Sequence, residues 1–212
     1  DLCPAPDPVL QARLAGYAFT DKDFAWTLRE VGRGEKHVLH WLRFPSALKG
    51  QVRESDVVWA RYWEPLGPGT RRPAVILIHW LAGTFETLEI IGRRLAESGI
   101  PALMIYLPEY GPRASKDDPR KSAKLTRQDM DRAVANLRQG VLDVRRAGDW
   151  LASRPSIEPS RIGLVGISLG ALIGALTLGV DDRFGRSVLF IGGGDLPSIL
   201  LHDSRETAAA RR

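Results

Sequence analysis

The stretch at residues 161–176, RIGLVGISLGALIGAL, decides the fold of this chain. Its apolar run stops at Ser168, which stands between Gly166 and Gly170, and then resumes. The pattern G-x-S-x-G has physical meaning where a strand precedes it and a helix follows, because the sharp turn holds the serine out of the core in a strained conformation. Glycines on both sides remove the β-carbons that would collide with that turn. The stretch therefore predicts a strand, an exposed nucleophile at Ser168 and a helix.

The same letters also fit a simpler structure, in which Ser168 is only a helix N-cap and the glycines are packing residues. What favours the nucleophile is its place in the chain, since apolar and amphipathic runs alternate from about residue 73 onward. AVILIH (74–79) and PALMIYL (101–107) are typical of strands that are covered on both faces, as in a parallel sheet. Helical spacing over residues 84–98 predicts the helix between them, with Thr84 as its cap and Gly99 just past its end.

A longer helix is predicted after a charged loop, and Thr126 with Asp129 three residues later resembles a capping box at its start. Its apolar stripe consists of Met130, Val134, Leu137, Val141, Val144 and Leu151. SRIGLVG (160–166) and RSVLFIGG (186–193) supply two further strands. Four strands joined by helices of crossover length predict an α/β fold with a doubly wound, mostly parallel sheet.

The N-terminal third has a different pattern. HVLHWLRF (37–44) and DVVWARYW (56–63) are aromatic-rich runs with no room for a helix between them, which favours an antiparallel pair at the edge of the sheet. Residues 1–36 are expected to form an irregular lead-in, and residues 37–212 one α/β domain.

Composition indicates an ordinary globular protein: the 212 residues are 44% hydrophobic and 26% charged. The net charge is +5, but the basic residues are spread along the chain among acids, which favours a solvated surface over a nucleic-acid or membrane partner. The densest charged segment, residues 111–127, is expected to be a loop. A single cysteine, Cys3, excludes an internal disulfide framework. Neither a metal nor a cofactor is expected.

The chain contains no transmembrane run and no signal-like segment, which slightly favours a cytoplasmic location. It begins at Asp1 without a methionine, so a processed or fragmentary chain is expected. The compartment and the oligomeric state stay open.

A second turn supports the interpretation of Ser168. The strand AVILIH runs into the sequence HWLAG (79–83), which resembles the H-G-x-x-G turn of α/β-hydrolases. Together with the serine motif, this turn makes the chain resemble the α/β-hydrolase superfamily over roughly residues 37 to 192. Its nearest likeness is to the dienelactone hydrolase, acetylxylan esterase and prolyl-oligopeptidase-like members.

The resemblance implies residue roles. Ser168 would be the nucleophile toward a small ester, with an acyl-enzyme as the intermediate and the backbone N–H groups of Leu81 and Leu169 as the oxyanion hole. Trp80 departs from the family, because it stands where a glycine is usual. His79 would be a structural residue of the turn rather than the base. The aromatic pair would be strands one and two, and the serine turn would follow strand five.

The acid and the base are harder to assign. In this superfamily they follow the serine in the order acid, then histidine. Asp195 directly follows what would be strand six, and His202 is the single histidine after Ser168, so these two are the candidates within the chain. The favoured interpretation is nevertheless that strands seven and eight are missing and that the acid and base lie beyond Arg212. The chain alone is then expected to be inactive.

Two other classes of function are alternatives to a serine hydrolase. A non-catalytic α/β-hydrolase-like binding or scaffold protein would keep the fold without a working triad. A nucleotide-binding domain is disfavoured, because neither G-x-G-x-x-G after the first parallel strand nor G-x-x-x-x-G-K-[ST] occurs. Loop residues expected either to line the pocket or to pack are Trp80, Tyr106, Glu109 and Tyr110.

Overall fold

A computed structural model describes residues 7–18, 23–67, 71–81, 85–117 and 130–193. The helices in these ranges are α1 (Pro8–Ala15), α2 (Glu86–Glu97), α3 (Met130–Ala152) and α4 (Leu169–Val180). The strands are β1 (Thr27–Arg33), β2 (His37–Pro45), β3 (Val57–Pro65), β4 (Arg72–Ile78), β5 (Ala102–Ile105), β6 (Ile157–Ile167) and β7 (Arg186–Phe190). Short 3-10 turns lie at Arg53–Asp56 and Gly111–Arg113.

The strands form one open sheet in the order β1-β2-β3-β5-β4-β6-β7. The pairs among β5, β4, β6 and β7 are parallel, and those among β1, β2, β3 and β5 are antiparallel. This arrangement confirms the predicted α/β sheet with a parallel core and an antiparallel N-terminal pair. The strand order reverses at β4, because β5, the next strand in the chain, lies on one side of β4 and β6, which follows β5, lies on the other side. Such a switch point is where open α/β sheets bind ligands, beyond the carboxyl ends of the strands.

The predicted position of the antiparallel pair at the edge was wrong. The edge is occupied by β1, which lies inside the expected irregular lead-in of residues 1–36 and pairs with β2. The sequence TLREVGR gives little sign of this strand, because its side chains are mostly exposed and only Leu28 packs against the core. An edge strand with a single, partly buried apolar side chain lacks the periodicity by which strands are predicted.

The parallel core follows from its apolar sequence. Ile76, Leu77 and Ile78 of β4 are fully buried, as is the whole of β5. One face of these strands packs with α2 around Trp63 and Leu88, and the opposite face packs with α3 and α4. Helices on both faces explain why the two strands are continuously apolar instead of alternating.

Helix α2 is slightly shorter than predicted, beginning at Glu86 after Phe85 in the N-cap position. Thr84, the predicted cap, lies outside the described residues. At the other end Gly99 has φ 84°, the left-handed conformation that ends many helices, as its position in the sequence suggested.

Helix α3 confirms only part of its predicted stripe. Val141, Val144 and Leu151 are buried, but Val134 is 59% exposed. The helix has 23 residues, about 34 Å at 1.5 Å per residue, and its first turns carry the exposed Val134. Its predicted start at Thr126 lies outside the described residues, as does the side chain of Met130. Within the parts of the chain described above, no helix combines the length and apolarity needed to cross a membrane.

Candidate active site

Ser168 occupies the sharp turn between β6 and α4. Its backbone angles are φ 51° and ψ −111°, which only glycine adopts readily. Its N–H donates to the carbonyl of Phe190 at 2.9 Å, and its own carbonyl accepts the N–H of Leu172 at 3.0 Å. A non-glycine residue in a sparsely populated conformation costs about 1–3 kcal/mol, so the surrounding hydrogen bonds must hold this turn in place.

The two glycines of the motif are required by backbone contacts. A β-carbon on Gly166 would lie 2.3 Å from the carbonyl oxygen of Gly170, inside the turn itself. A β-carbon on Gly170 would lie 2.2 Å from the carbonyl oxygen of Ile78, at the end of β4. The second contact shows that α4 begins directly against the strand that leads to Trp80 and Leu81.

The two predicted oxyanion residues lie on turns that leave neighbouring strands. Ile78 and Gly166 are register partners in β4 and β6, so the turns that follow them start side by side. Leu169 is the first residue of α4, where helix N–H groups have no acceptor within the helix. Leu81 is the last described residue of its turn, and residues 82–84 lie outside the described ranges. The roles of Leu81 and Leu169 stay predictions.

His79 is buried at the start of the turn after β4, and both of its ring nitrogens are hydrogen-bonded. Nε2 accepts the N–H of Leu107 at 3.1 Å, so the ring proton is on Nδ1, which donates to the carbonyl of Trp80 at 2.9 Å. Burial, helped by the charge of Arg113 and opposed by the bond to Trp80, lowers the pKa of His79 to about 4. The ring is therefore neutral near pH 7, and its hydrogen bonds tie the Trp80 turn to the loop after β5.

Aromatic rings enclose His79 on several sides. The centroids of Phe85 and Tyr110 lie 4.9 and 4.7 Å from that of His79, both in edge-on contact. Tyr106 is 4.6 Å from Phe85 and is itself buried. Four loop residues are expected either to line a pocket or to pack. Tyr106 and Glu109 are buried among protein atoms, whereas Trp80 and Tyr110 are partly exposed.

A buried ion pair anchors the loop after β5 to α3. Arg113 and Asp143 have side chains that are 0% and 1% exposed, and their closest atoms, Nη2 and Oδ2, are 2.7 Å apart. Arg113 also donates to the carbonyls of Tyr106 at 2.8 Å and Ser55 at 2.5 Å. Burial raises the pKa of the Asp143 carboxyl, against the opposing effects of Arg113 and of the Ser46 hydroxyl. Sequence analysis missed this pair, because neither residue belongs to a recognisable motif.

Two hydroxyls and an amide extend the anchor. Ser46 donates to Asp143 at 2.6 Å, and Gln139 donates to Ser46 at 3.0 Å and to the carbonyl of Ser55 at 2.9 Å. The Ser55 hydroxyl accepts the N–H of Glu109 at 2.8 Å. The loop after β5 is thus fixed both to α3 and to the segment between β2 and β3.

The acids that follow Ser168 do not gather around it within the described residues. Asp181 lies at the opposite end of α4, where it accepts hydrogen bonds from Arg145 at 2.8 Å and from Arg183 at 2.6 Å. Burial alone would raise the pKa of Asp181, but the bonds from Arg183 and Arg145 outweigh it and hold the pKa below its usual range. The candidate acid Asp195 and the candidate base His202 both lie outside the described residues, so their roles stay predictions. No group of three or more His, Cys, Asp or Glu side chains suited to a metal ion occurs in the described ranges.

An open sheet in this order, with a strained serine where an inner parallel strand meets a helix, defines the α/β-hydrolase class. Residues 59–210 match the model of the Dienelactone hydrolase family. That match covers well over half of the chain, which therefore belongs to the dienelactone hydrolase family.

Two uncharacterized proteins of Mycobacterium tuberculosis, from strains CDC 1551 / Oshkosh and H37Rv, are similar to part of the chain. Each is 33% identical over 104 residues, which make up 49% of this chain and 24% of the relative. The chain thus spans about a quarter of the length of these relatives.

Several solved structures share the fold. An acetyl xylan esterase from Paenibacillus sp. R4 has a TM-score of 0.72 at 19% identity, over 100% of this chain and 68% of that one. Acetyl Xylan Esterase 1 from Thermoanaerobacterium sp. JW/SL YS485 has a TM-score of 0.64 at 17% identity, over 89% and 60% of the two chains. A cold-adapted esterase from an Arctic intertidal metagenomic library has a TM-score of 0.56 at 22% identity, over 78% and 64%. At these identities the likeness concerns the fold alone.

Proposed function

We propose that this chain carries the nucleophile of a serine hydrolase that cleaves carboxylic esters through an acyl-enzyme on Ser168. The observation that carries the proposal is the strained turn: a non-glycine residue at φ 51° is held between two glycines whose positions admit no β-carbon. Strain of this kind is retained where surrounding structure enforces it, and active sites are a common place for it. Membership of the dienelactone hydrolase family and the fold shared with esterases support the same chemistry.

The mechanism is acyl transfer in two steps. The Ser168 oxygen attacks the ester carbonyl while a base takes the hydroxyl proton, and the tetrahedral oxyanion accepts hydrogen bonds from the N–H groups of Leu81 and Leu169. The protonated base then gives its proton to the departing alkoxide. Water, deprotonated by the same base, attacks the acyl-enzyme. The bond to the Ser168 oxygen then breaks as that oxygen takes the proton from the base, and the carboxylic acid is released. The N-terminal end of α4 points its positive dipole at the developing negative charge.

The experiment treats the full-length protein with a fluorophosphonate probe and, separately, with p-nitrophenyl acetate. We expect covalent labelling at Ser168 and ester turnover, with both lost in Ser168→Ala. A thioester and a chromogenic peptide in the same assay separate an esterase from the neighbouring thioesterase and peptidase activities. Absence of labelling in a folded protein would instead support a binding or scaffold protein.

The source of the acid and base is a separate part of the proposal. Strand β7 exposes Val188, Leu189 and Phe190, and Ile191 directly after it is also exposed, which is the kind of apolar surface that further strands of the sheet would cover. We expect residues 1–212 alone to hydrolyse esters weakly or not at all, and a chain extended at its C-terminus to be active. Efficient hydrolysis by the 212-residue chain that is lost in His202→Ala, and in Asp195→Asn, would overturn this expectation and assign both roles within the chain.

A further inference from the structure

Glu109 is a buried acidic residue in an unusual backbone conformation, in the loop that follows β5. Its φ is 67°, in the left-handed region, although it is not a glycine. The side chain is among the buried charged residues, at 4% exposure. Its N–H donates to the Ser55 hydroxyl at 2.8 Å, which helps to hold the peptide in this conformation.

Two side chains of α3 hold its carboxylate. Arg132 donates through Nε at 2.7 Å to Oε1 and through Nη2 to Oε2, and Asn136 donates to Oε1 at 2.9 Å. Arg132 and Asn136 are four residues apart and so lie on the same face of the helix. Bidentate, charge-assisted bonds of this kind fix orientation as well as position.

The conformation of Glu109 sets the position of the next two residues. Tyr110 lies with its ring centroid 4.7 Å from that of His79, at an interplanar angle of 62°. Gly111 follows at φ 52°, where a β-carbon would lie 2.6 Å from the ring of Tyr106. The loop therefore folds closely over the aromatic rings that surround His79.

His79 passes this constraint to the turn beside Ser168. Its Nδ1–H donates to the Trp80 carbonyl at 2.9 Å, and that carbonyl shares one planar peptide unit with the N–H of Leu81. If Tyr110 is displaced, the His79 ring loses its contact on that side and is free to shift. A shift of the His79 ring moves its hydrogen bond to the Trp80 carbonyl. Catalytic geometry is sensitive to such shifts, since a misplacement of about 1 Å at a reacting group can cost a hundredfold in rate.

We propose that Glu109 is a positioning residue for the reaction at Ser168: clamped by Arg132 and Asn136, it places Tyr110 against His79 and so fixes the Trp80–Leu81 turn. This inference rests on the proposed function of Ser168. Glu109 does not touch the reacting atoms and does not transfer a proton in this account.

The test measures kcat and KM for p-nitrophenyl acetate with full-length wild type, Glu109→Gln, Tyr110→Leu and the double variant. We expect kcat to fall about tenfold in each single variant, with KM changing less than about threefold, because the lost interaction acts in the transition state. The double variant is expected to be no slower than the slower single one, since both changes break the same path. Binding of a trifluoromethyl ketone, which resembles the tetrahedral intermediate, is expected to weaken in parallel with kcat. The shape of the pH profile stays unchanged.

Asp149→Asn is the matched control. Asp149 pairs with Arg183 at the other end of α3, its side chain is 10% exposed, and Arg183 keeps Asp181 as a second partner. It is expected to lower the melting temperature without lowering kcat at a temperature where every variant is folded. If Glu109→Gln does not fold, Tyr110→Leu carries the test by the same kcat and inhibitor measurements.

The outcomes separate the two proposals. Wild-type kcat in Glu109→Gln and Tyr110→Leu, with activity abolished in Ser168→Ala, would overturn the role of Glu109 and leave the proposed function standing. An equal loss of kcat in Asp149→Asn would also overturn it, because the effect would then be general destabilisation. Full activity in Ser168→Ala would overturn both.

Discussion

The two sides of the Ser168 turn are built differently. On the side of β4 and β5, two ion pairs join the loop after β5 to α3: the buried pair of Arg113 with Asp143, and Glu109 with the partly exposed Arg132. On the side of β7, the described sheet ends in a strand whose apolar side chains are open to solvent, with Phe190 at 50% exposure, and Ile191 just after the strand is 87% exposed.

The two sides of the candidate site therefore differ in how firmly their loops are held by polar contacts. On the side that would hold the oxyanion, hydrogen bonds fix the loop after β5 to α3 and tie it through His79 to Trp80. The other half supplies one backbone contact to the turn, the bond from the Ser168 N–H to the carbonyl of Phe190. The proposed acid and base would have to come from this second side, so the comparison can be tested by substitutions on each.

The largest effect is expected on the buried side. Asp143→Ala leaves the Arg113 guanidinium buried without its carboxylate, which typically costs about 3–5 kcal/mol of unfolding free energy. Urea denaturation followed by circular dichroism measures the change. The exposed Asp182, changed to alanine, is the control and is expected to shift stability by less than about 0.5 kcal/mol. A loss below about 1 kcal/mol in Asp143→Ala would show that the anchor is dispensable.

The next effect is expected at the boundary. Gly170→Ala places a β-carbon 2.2 Å from the Ile78 carbonyl oxygen, and because the obstacle is backbone, β4 and α4 must separate. We expect a loss of about 3 kcal/mol, the upper end of the usual range for overpacking. Gly179→Ala in the same helix meets no atom within 4 Å and is expected to gain up to about 1 kcal/mol from helix propensity. Equal stabilities of these two variants in thermal unfolding would contradict the geometry of the turn.

A pH effect of intermediate size is expected from His79. Its pKa is about 4 in the folded protein, below the ordinary value of 6.5, so the unfolded chain binds more protons between these two pH values. This residue's contribution to stability therefore falls as the pH drops from 6.5 to 4 and is constant below that. By pH 4.5 the loss is about 2 kcal/mol, from 1.36 kcal/mol per pKa unit with some allowance for relaxation. His79→Gln is expected to flatten the pH dependence of unfolding by this amount, and an unchanged slope would contradict the prediction.

The smallest effect on stability is expected at the exposed edge. Val188→Lys replaces a side chain that is 49% exposed on β7, so unfolding free energy should change by less than about 0.5 kcal/mol. An exposed apolar edge strand favours self-association, so the variant is expected to scatter less light at high protein concentration. If Val188→Lys lowers the unfolding free energy by several kcal/mol, the side chain of Val188 is buried in the folded protein, and the proposed difference between the two sides is wrong.

Local sequence signals predicted some of these elements and not others. The strands β4, β5 and β6 and the serine turn were predictable, because continuous apolar runs and the G-x-S-x-G pattern are local signals. β1 was missed, since its polar side chains carry no such signal. Val134 was placed in the core because periodicity predicts which face of a helix is apolar but not how far along the helix other elements cover that face.

By itself, the sequence determined the α/β class, the strand-turn-helix at Ser168 and the glycines that allow it. The tertiary structure alone decided the neutral state of His79, the Arg113–Asp143 anchor and the clamp on Glu109. The physical reason is separation along the chain: Arg113 and Asp143 are 30 residues apart, and Ser46 and Asp143 are 97 apart. A charged residue that finds a buried partner so far away looks, in sequence, like any solvated surface residue, and only folding brings the two groups into contact.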